Sequence, residues 1–213
     1  MKLYSYFRSS AAYRVRIALG LKGLPFDYAP VHLVKKEQQA PGYRKLNPDA
    51  LVPTLVDDAG HALTPSLAII EWLEETRPEP LLLPRAPLER AWVRSLALQI
   101  ACDIHPLNNL RVLRFLVKEM GLAEAQKLAW QRHWVESGFA ALEQRLAGDP
   151  HTGAFCFGDA PTLADVTLVP QMYNARRLDI DLTRYPTLMR IDAQATRHPA
   201  FSAAAPEKQP DAS

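Results

Sequence analysis

The chain has 213 residues, 48% of them hydrophobic and 23% charged, with a formal net charge of only +2. That is an ordinary globular composition, long enough for one large domain or two small ones. The small charge gives no bulk field for nucleic acid, no run of about 18 apolar residues exists to span a membrane, and Cys102 and Cys156 are too few for a disulfide framework.

Leu3 to Tyr6 reads as a short strand, followed by a tight turn carrying Arg8, Ser9 and Ser10. Arg14, Val15, Ile17, Ala18, Leu19 and Leu21 then recur with helical period, and Gly23 is a stop. Hydroxyls at a helix entrance cap its free N–H groups. The same place carries roughly half a positive charge and holds anions, a thiolate among them. Arg14 and Arg16, inside this helix, are expected to make surface or interdomain ion pairs. Pro53 precedes a strand-like run, Thr54 to Val56; a proline there can hold a cis bond and leave the Val52 backbone unpaired and facing out. Gly60 turns the chain into a second short strand, His61 to Thr64. Ser66 opens a helix that buries Leu67, Ile69, Ile70 and Leu73 and ends before Pro78.

Residues 77–87, RPEPLLLPRAP, hold four prolines in eleven residues and cannot continue a helix. Beyond them the period is helical almost throughout. Helices are expected over Leu88–Ile104, Leu110–Met120, Leu122–Leu146 (Trp130, Trp134, Phe139, Leu142 and Leu146 inward), Thr162–Leu178 and Pro186–Arg197. Thr162 and Asp165 have the spacing of a capping box, with aspartate in place of glutamate. The tail from Ala203, small and polar, is expected to be loose. Six scattered histidines give no metal spacing. The chain opens directly on a strand with no long apolar segment, so a cytoplasmic location is expected.

Several of these stretches together resemble the zeta-class glutathione transferases. SSAAYRVRIAL at 9–19 is similar to the class signature SSCxWRVRIAL. VPTL at 52–55, SLAIIEWLEETRP at 66–78, GDAPTLAD at 158–165 and VPQMYNA at 169–175 match the same class. The likeness runs over roughly positions 1 to 205. It implies a thioredoxin-like βαβαββα domain over 1–78, a linker over 79–87 and an all-helical domain over 88–213, in a homodimer. Two residues depart from the signature: alanine at 11 where the class has cysteine, and tyrosine at 13 where it has tryptophan. Pro65 stands where the class has glutamine or a similar residue.

The resemblance also implies glutathione as cofactor. Ser9 is then the residue linked to thiol activation, with Ser10 and Ala11 beside it at the helix entrance. Val52, next to Pro53, pairs its backbone with the cysteinyl unit, and Ser66 holds the γ-glutamyl carboxylate. Gln38 or Gln39 matches a glutathione-contacting glutamine. His105, Asn109 and Arg111 fall where the helical domain of the class meets the ligand, and His105 reads equally well as a structural histidine. Arg8, Arg111, Arg176 and Arg177 are the cations available for a dianionic maleyl keto acid, with Arg8 and Arg176 in catalytic roles; a solvated helical arginine is the plain alternative. The reaction implied is cis–trans isomerisation of maleylpyruvate to fumarylpyruvate by thiolate addition, bond rotation and elimination. Maleylacetoacetate is the alternative substrate, and general glutathione conjugation or dehalogenation the alternative chemistry. A non-enzymatic member of the class is a third reading, which retention of Arg8, Ser9, Pro53 and Ser66 opposes.

Overall fold

The structure, a computed structural model, describes residues 1–212. They form two compact units. The first comprises Met1–Leu82 together with the segment from Arg197 onward, and the second comprises Leu83–Thr196.

In the first unit the chain runs β1 (Lys2–Ser5), α1 (Ser10–Leu21), β2 (Asp27–Pro30), a 3₁₀ turn (Glu37–Gln39), α2 (Pro41–Leu46), β3 (Thr54–Val56), β4 (Ala62–Leu63) and α3 (Ser66–Thr76). The sheet has the order β2-β1-β3-β4, with β1 parallel to β2 and antiparallel to β3. This is the expected thioredoxin-like order. Alternation in β1 sends Leu3 and Tyr4 to opposite faces. Leu3 is fully buried, and Tyr4 packs against a cluster of Tyr6, Phe7, Val31, Tyr43 and Val52.

The segment from Arg197 groups with the first unit, and it corrects the expected loose tail. Helix α9 (Pro199–Ala204) and a 3₁₀ turn (Pro206–Lys208) are well formed, and α9 packs on α1. Close approach is possible because Gly20 has no side chain; a Cβ there would stand 3.2 Å from the Ala200 Cβ. Arg16 reinforces the joint. It is 2% exposed and donates to the Ala204 carbonyl at 3.0 Å, the Ser5 hydroxyl at 3.1 Å and the Phe7 carbonyl at 3.1 Å. Burial lowers its pKa to about 10, so it stays charged at neutral pH. The expected surface or interdomain ion pair at Arg16 is therefore replaced by three oxygen acceptors inside this unit. Arg14, also 2% exposed, is not a surface residue either.

The second unit is helical: α4 (Pro87–Leu98), a π-helical turn (Gln99–Ile104), a 3₁₀ turn (Pro106–Asn108), α5 (Leu110–Lys118), α6 (Glu124–Gly148), α7 (Leu163–Arg177), a 3₁₀ turn (Leu182–Arg184) and α8 (Pro186–Arg197). The expected helix over 88–104 thus stays α-helical only to Leu98. The π turn lies against α6 at Gly138, where a Cβ would meet the Ile104 side chain at 2.3 Å. Helix α7 is buried over most of its length, as the central helix of a bundle must be. Its capping box forms: Asp165 Oδ2 accepts from the Thr162 N–H and hydroxyl, each at 2.8 Å. Asp165 Oδ1 accepts from the Cys156 N–H at 2.8 Å. In α6, Phe139, Leu142 and Leu146 are buried as expected, whereas Trp130 is only half-buried and donates to the Leu107 carbonyl at 2.9 Å.

Candidate active site

Topology gathers most of the candidate residues of the first unit at one end of its sheet. Strand β1 ends at Ser5, and four residues on stands Ser9. Because β3 is antiparallel to β1, with Tyr4 opposite Thr54, its entrance residues Val52 and Pro53 lie at that same end. Strand β4 is antiparallel to β3, with Leu63 opposite Leu55, so its exit toward Ser66 lies there too.

Ser9 is the N-cap of α1, and its Oγ accepts from the Ala12 N–H at 3.2 Å. Capping uses an oxygen lone pair and leaves the hydroxyl hydrogen to donate elsewhere. The plain and the functional readings of Ser9 are therefore compatible. Ser10 is buried as the first helical residue, and the N–H of Ala11 has no partner within the helix. Arg8 is exposed, with its guanidinium 4.8 Å from the centroid of the Phe7 ring.

The Val52–Pro53 peptide is cis, as expected. Among the described residues no hydrogen bond involves the Val52 N–H or C=O, although its neighbour Leu51 accepts from the Tyr43 hydroxyl at 2.5 Å and the Asn47 amide at 2.9 Å. Buried backbone groups are nearly always paired, so an open pair beside an ordered turn suits an extended ligand.

Ser66 is not the N-cap of α3 but its first helical residue, with Pro65 at the cap position and no side-chain cap. The helix entrance is thus left to serve an outside anion. Ser66 is 3% exposed and its Oγ lies 3.5 Å from the Arg14 Nη1. Arginine only donates, so Ser66 accepts there and keeps its own hydrogen for an incoming acceptor. Arg14 is a residue whose place near the site the sequence reading missed. The available signal was the absence of any acidic residue three or four positions away along the helix. Of the two glutamines, Gln38 is buried and its Oε1 has no hydrogen-bond partner among the described residues. Gln39 is exposed and accepts from Arg44 at 3.4 Å.

The remaining candidates belong to the helical unit. Asn109 is the N-cap of α5, its Oδ1 accepting from the Arg111 N–H at 3.1 Å, and the Arg111 side chain is exposed. His105 is half-buried, and its N–H closes the π turn on the Ile100 carbonyl at 2.9 Å. Arg176 pairs through Nη2 with Asp192 and is about half exposed, while Asp192 is buried. Burial raises the Asp192 carboxyl pKa, and Arg176 opposes that rise. Arg176 is thus oriented by Asp192 while about half of its side chain stays in solvent. Arg177 is exposed. Cys156 is buried, and burial holds its thiol pKa well up, so it is chemically silent. No group of three metal-ligating side chains occurs among the described residues, and none of their helices is long and apolar enough to cross a membrane.

Residues 3–81 match the family model for the glutathione S-transferase N-terminal domain, and residues 123–203 match that for the C-terminal domain. A probable maleylacetoacetate isomerase of Vibrio cholerae is 51% identical, over 99% of this chain and 97% of its own. The holo structure of a maleyl pyruvate isomerase, described as a bacterial glutathione S-transferase of zeta class, superposes with a TM-score of 0.97 at 49% identity, covering 100% of both chains. A maleylacetoacetate isomerase from Methylobacterium extorquens with bound malonate and glutathione has the same TM-score, 0.97, at 41% identity and 100% coverage of both chains.

Proposed function

The chain belongs to the glutathione S-transferase family, in its zeta class, and from that premise we propose that it is a glutathione-dependent cis–trans isomerase of maleylpyruvate, with maleylacetoacetate as the alternative substrate. The observation that carries this is the capped entrance of α1, where Ser9 keeps a hydroxyl hydrogen to donate and Arg8 adjoins it.

The residues present suit glutathione. The open Val52 backbone takes the cysteinyl unit. The uncapped α3 entrance, with Ser66, takes the γ-glutamyl carboxylate, and the buried Gln38 Oε1 offers an acceptor. Pro65 supplies no N–H of its own, so the Ser66 N–H and hydroxyl carry that end. Ser10, Ala11, His105 and Asn109 complete the proposed contacts. When bound, glutathione supplies the thiolate that adds to the cis double bond, lets it rotate as a single bond, and leaves again.

Ser9 and the α1 entrance stabilise that thiolate. Lowering a thiol pKa from about 8.5 to about 6.5 raises the thiolate at pH 7 from about 3% to about 75%. A Brønsted slope near 0.45 takes back about eightfold in nucleophilicity, leaving a net gain of about threefold. Most of the rate must therefore come from positioning and from stabilising developing charge. Arg8, next to Ser9 in the chain, is the cation proposed for that work. Arg176, oriented by Asp192, is the second, with Arg111 and Arg177 as further holders of substrate carboxylate, because arginine grips carboxylates in a bidentate way. Ala11 has no titratable group, so no step passes through an enzyme thiol at that position.

A spectrophotometric assay of both maleyl keto acids, with and without glutathione, tests the reading. Conversion that requires glutathione and falls about a hundredfold in Arg8→Ala is the expected result. No conversion by a protein that binds glutathione would shift the assignment to general conjugation. We propose in addition a cytoplasmic homodimer. The helical unit presents Leu98, 46% exposed, beside a groove of about 550 Å³ lined by Ser95, Gln99, Cys102, Ser137 and Arg145. Light scattering should return twice the chain mass of 23.9 kDa, and a monomer would refute this part.

A further inference from the structure

The turn that carries Arg8 and Ser9 is held from below by the C-terminal segment. Asp211 Oδ2 accepts from the Phe7 N–H at 3.1 Å, and its Oδ1 accepts from the Tyr28 hydroxyl at 2.6 Å. The Phe7 carbonyl accepts from Arg16 Nη2 at 3.1 Å, and the same guanidinium holds the Ala204 carbonyl at 3.0 Å. Both polar groups of the Phe7 residue are thus tied, directly or through Arg16, to residues 204–211. The segment is itself braced, since the Gln209 side-chain amide donates to the Ala203 and Ala205 carbonyls at 3.0 and 2.9 Å.

Phe7 is the last fixed point before the site. Its ring is buried, stands edge-on to Tyr6 at 4.8 Å between centroids, and carries the Arg8 guanidinium. The Ser9 N–H then bonds back to the Tyr6 carbonyl at 2.9 Å. Any shift of the Phe7 peptide moves the platform under Arg8 and the turn that aims the Ser9 hydroxyl.

We infer that Asp211 is a positioning residue of the thiol site: by holding the Phe7 N–H and the Tyr28 hydroxyl together, it straps the C-terminal segment to the Arg8–Ser9 turn and so sets how well a thiol is bound and ionised there. The inference rests on the reading of Ser9 as the thiol donor. Its sign separates it from plain electrostatics. Removing a nearby negative charge, by itself, lowers a thiol pKa. Loosening the turn raises it, because the hydroxyl no longer faces the sulfur.

The test compares full-length wild type, Asp211→Ala, Asp211→Asn and Ser9→Ala. Glutathione affinity is read by calorimetry, and the pKa of the bound thiol by the ultraviolet absorbance of the thiolate. Asp211→Ala is expected to weaken glutathione binding about tenfold, the value of a hydrogen bond to a charged group, and to raise the bound thiol pKa. Asp211→Asn keeps an oxygen for the Phe7 N–H and is expected to bind within about twofold of wild type. Should Asp211→Ala fail to fold, the double variant Asp211→Asn with Tyr28→Phe retains a single neutral bond and is expected to bind about threefold more weakly. Wild-type affinity and thiol pKa in the weakened variants, or a lowered pKa in Asp211→Ala, would overturn the inference whatever the melting temperature. If Ser9→Ala leaves the bound thiol pKa unchanged, the reading of Ser9 fails instead.

Discussion

Ser9→Ala is expected to lower kcat/KM about a hundredfold while costing only about 1 kcal/mol of stability. The two effects come from the two ends of one hydroxyl. Its oxygen caps the Ala12 N–H at 3.2 Å, and losing a serine cap costs about 1 kcal/mol. Its hydrogen is the proposed donor to the thiolate. Ionisation at pH 7 accounts for only about threefold, so the larger part of the loss is misplacement of the sulfur, for which an ångström is worth about 10²-fold. A pH profile separates the parts. In the variant the bound thiol returns toward its free pKa near 8.5, so activity should climb between pH 7 and 9 where wild type is already flat, without regaining the wild-type value. Ser9→Thr retains both oxygen and hydrogen and should keep the cap. A Ser9→Ala enzyme within about threefold of wild type at pH 7 would reduce Ser9 to a helix cap.

The largest effect on stability is expected at Lys22. Its Nζ is fully buried and donates to Glu74 Oε2 at 2.8 Å and to the carbonyls of Arg77 and Pro80 at 2.7 and 3.0 Å. Glu74, equally buried, accepts from the Leu82 N–H at 3.0 Å. One ion pair thus joins the end of α1, the last turn of α3 and the proline-rich stretch that leaves this unit. Lys22→Met strands a buried carboxylate, which costs about 3–5 kcal/mol. In a chain of this size that is a fall in Tm of about 6–20 °C, measurable by calorimetry. Lys22→Met with Glu74→Gln removes both charges and keeps an oxygen for the Leu82 N–H, so it should recover more than half of the loss. A double variant no more stable than the single one would show that the carbonyl contacts of Lys22, and not its pairing with Glu74, hold the joint.

Local chemistry made much of this protein legible from the chain alone. The helix after Ser9, the cis bond at Pro53, the helix from Ser66 and the capping box of Thr162 and Asp165 each depend on a few neighbouring residues. Period, caps and proline report such features directly. Strand β2 and helix α2, with the sequences DYAP and PGYRKL, carry no apolar run to mark them, and the chain reading assigned them no positions. Tertiary structure decided the partners. Arg16, Lys22, Arg176 and Asp211 meet groups 16 to 204 residues away in sequence, and no local pattern encodes such a distance. Arg16 looked like a surface charge because charges on helices usually are; the carbonyls of Phe7 and Ala204 made its burial tolerable. The tail looked loose because it is small and polar. Its order comes from hydrogen bonds at Asp211 and from the shallow seat that Gly20 leaves for Ala200, and both exist only once the first unit has folded.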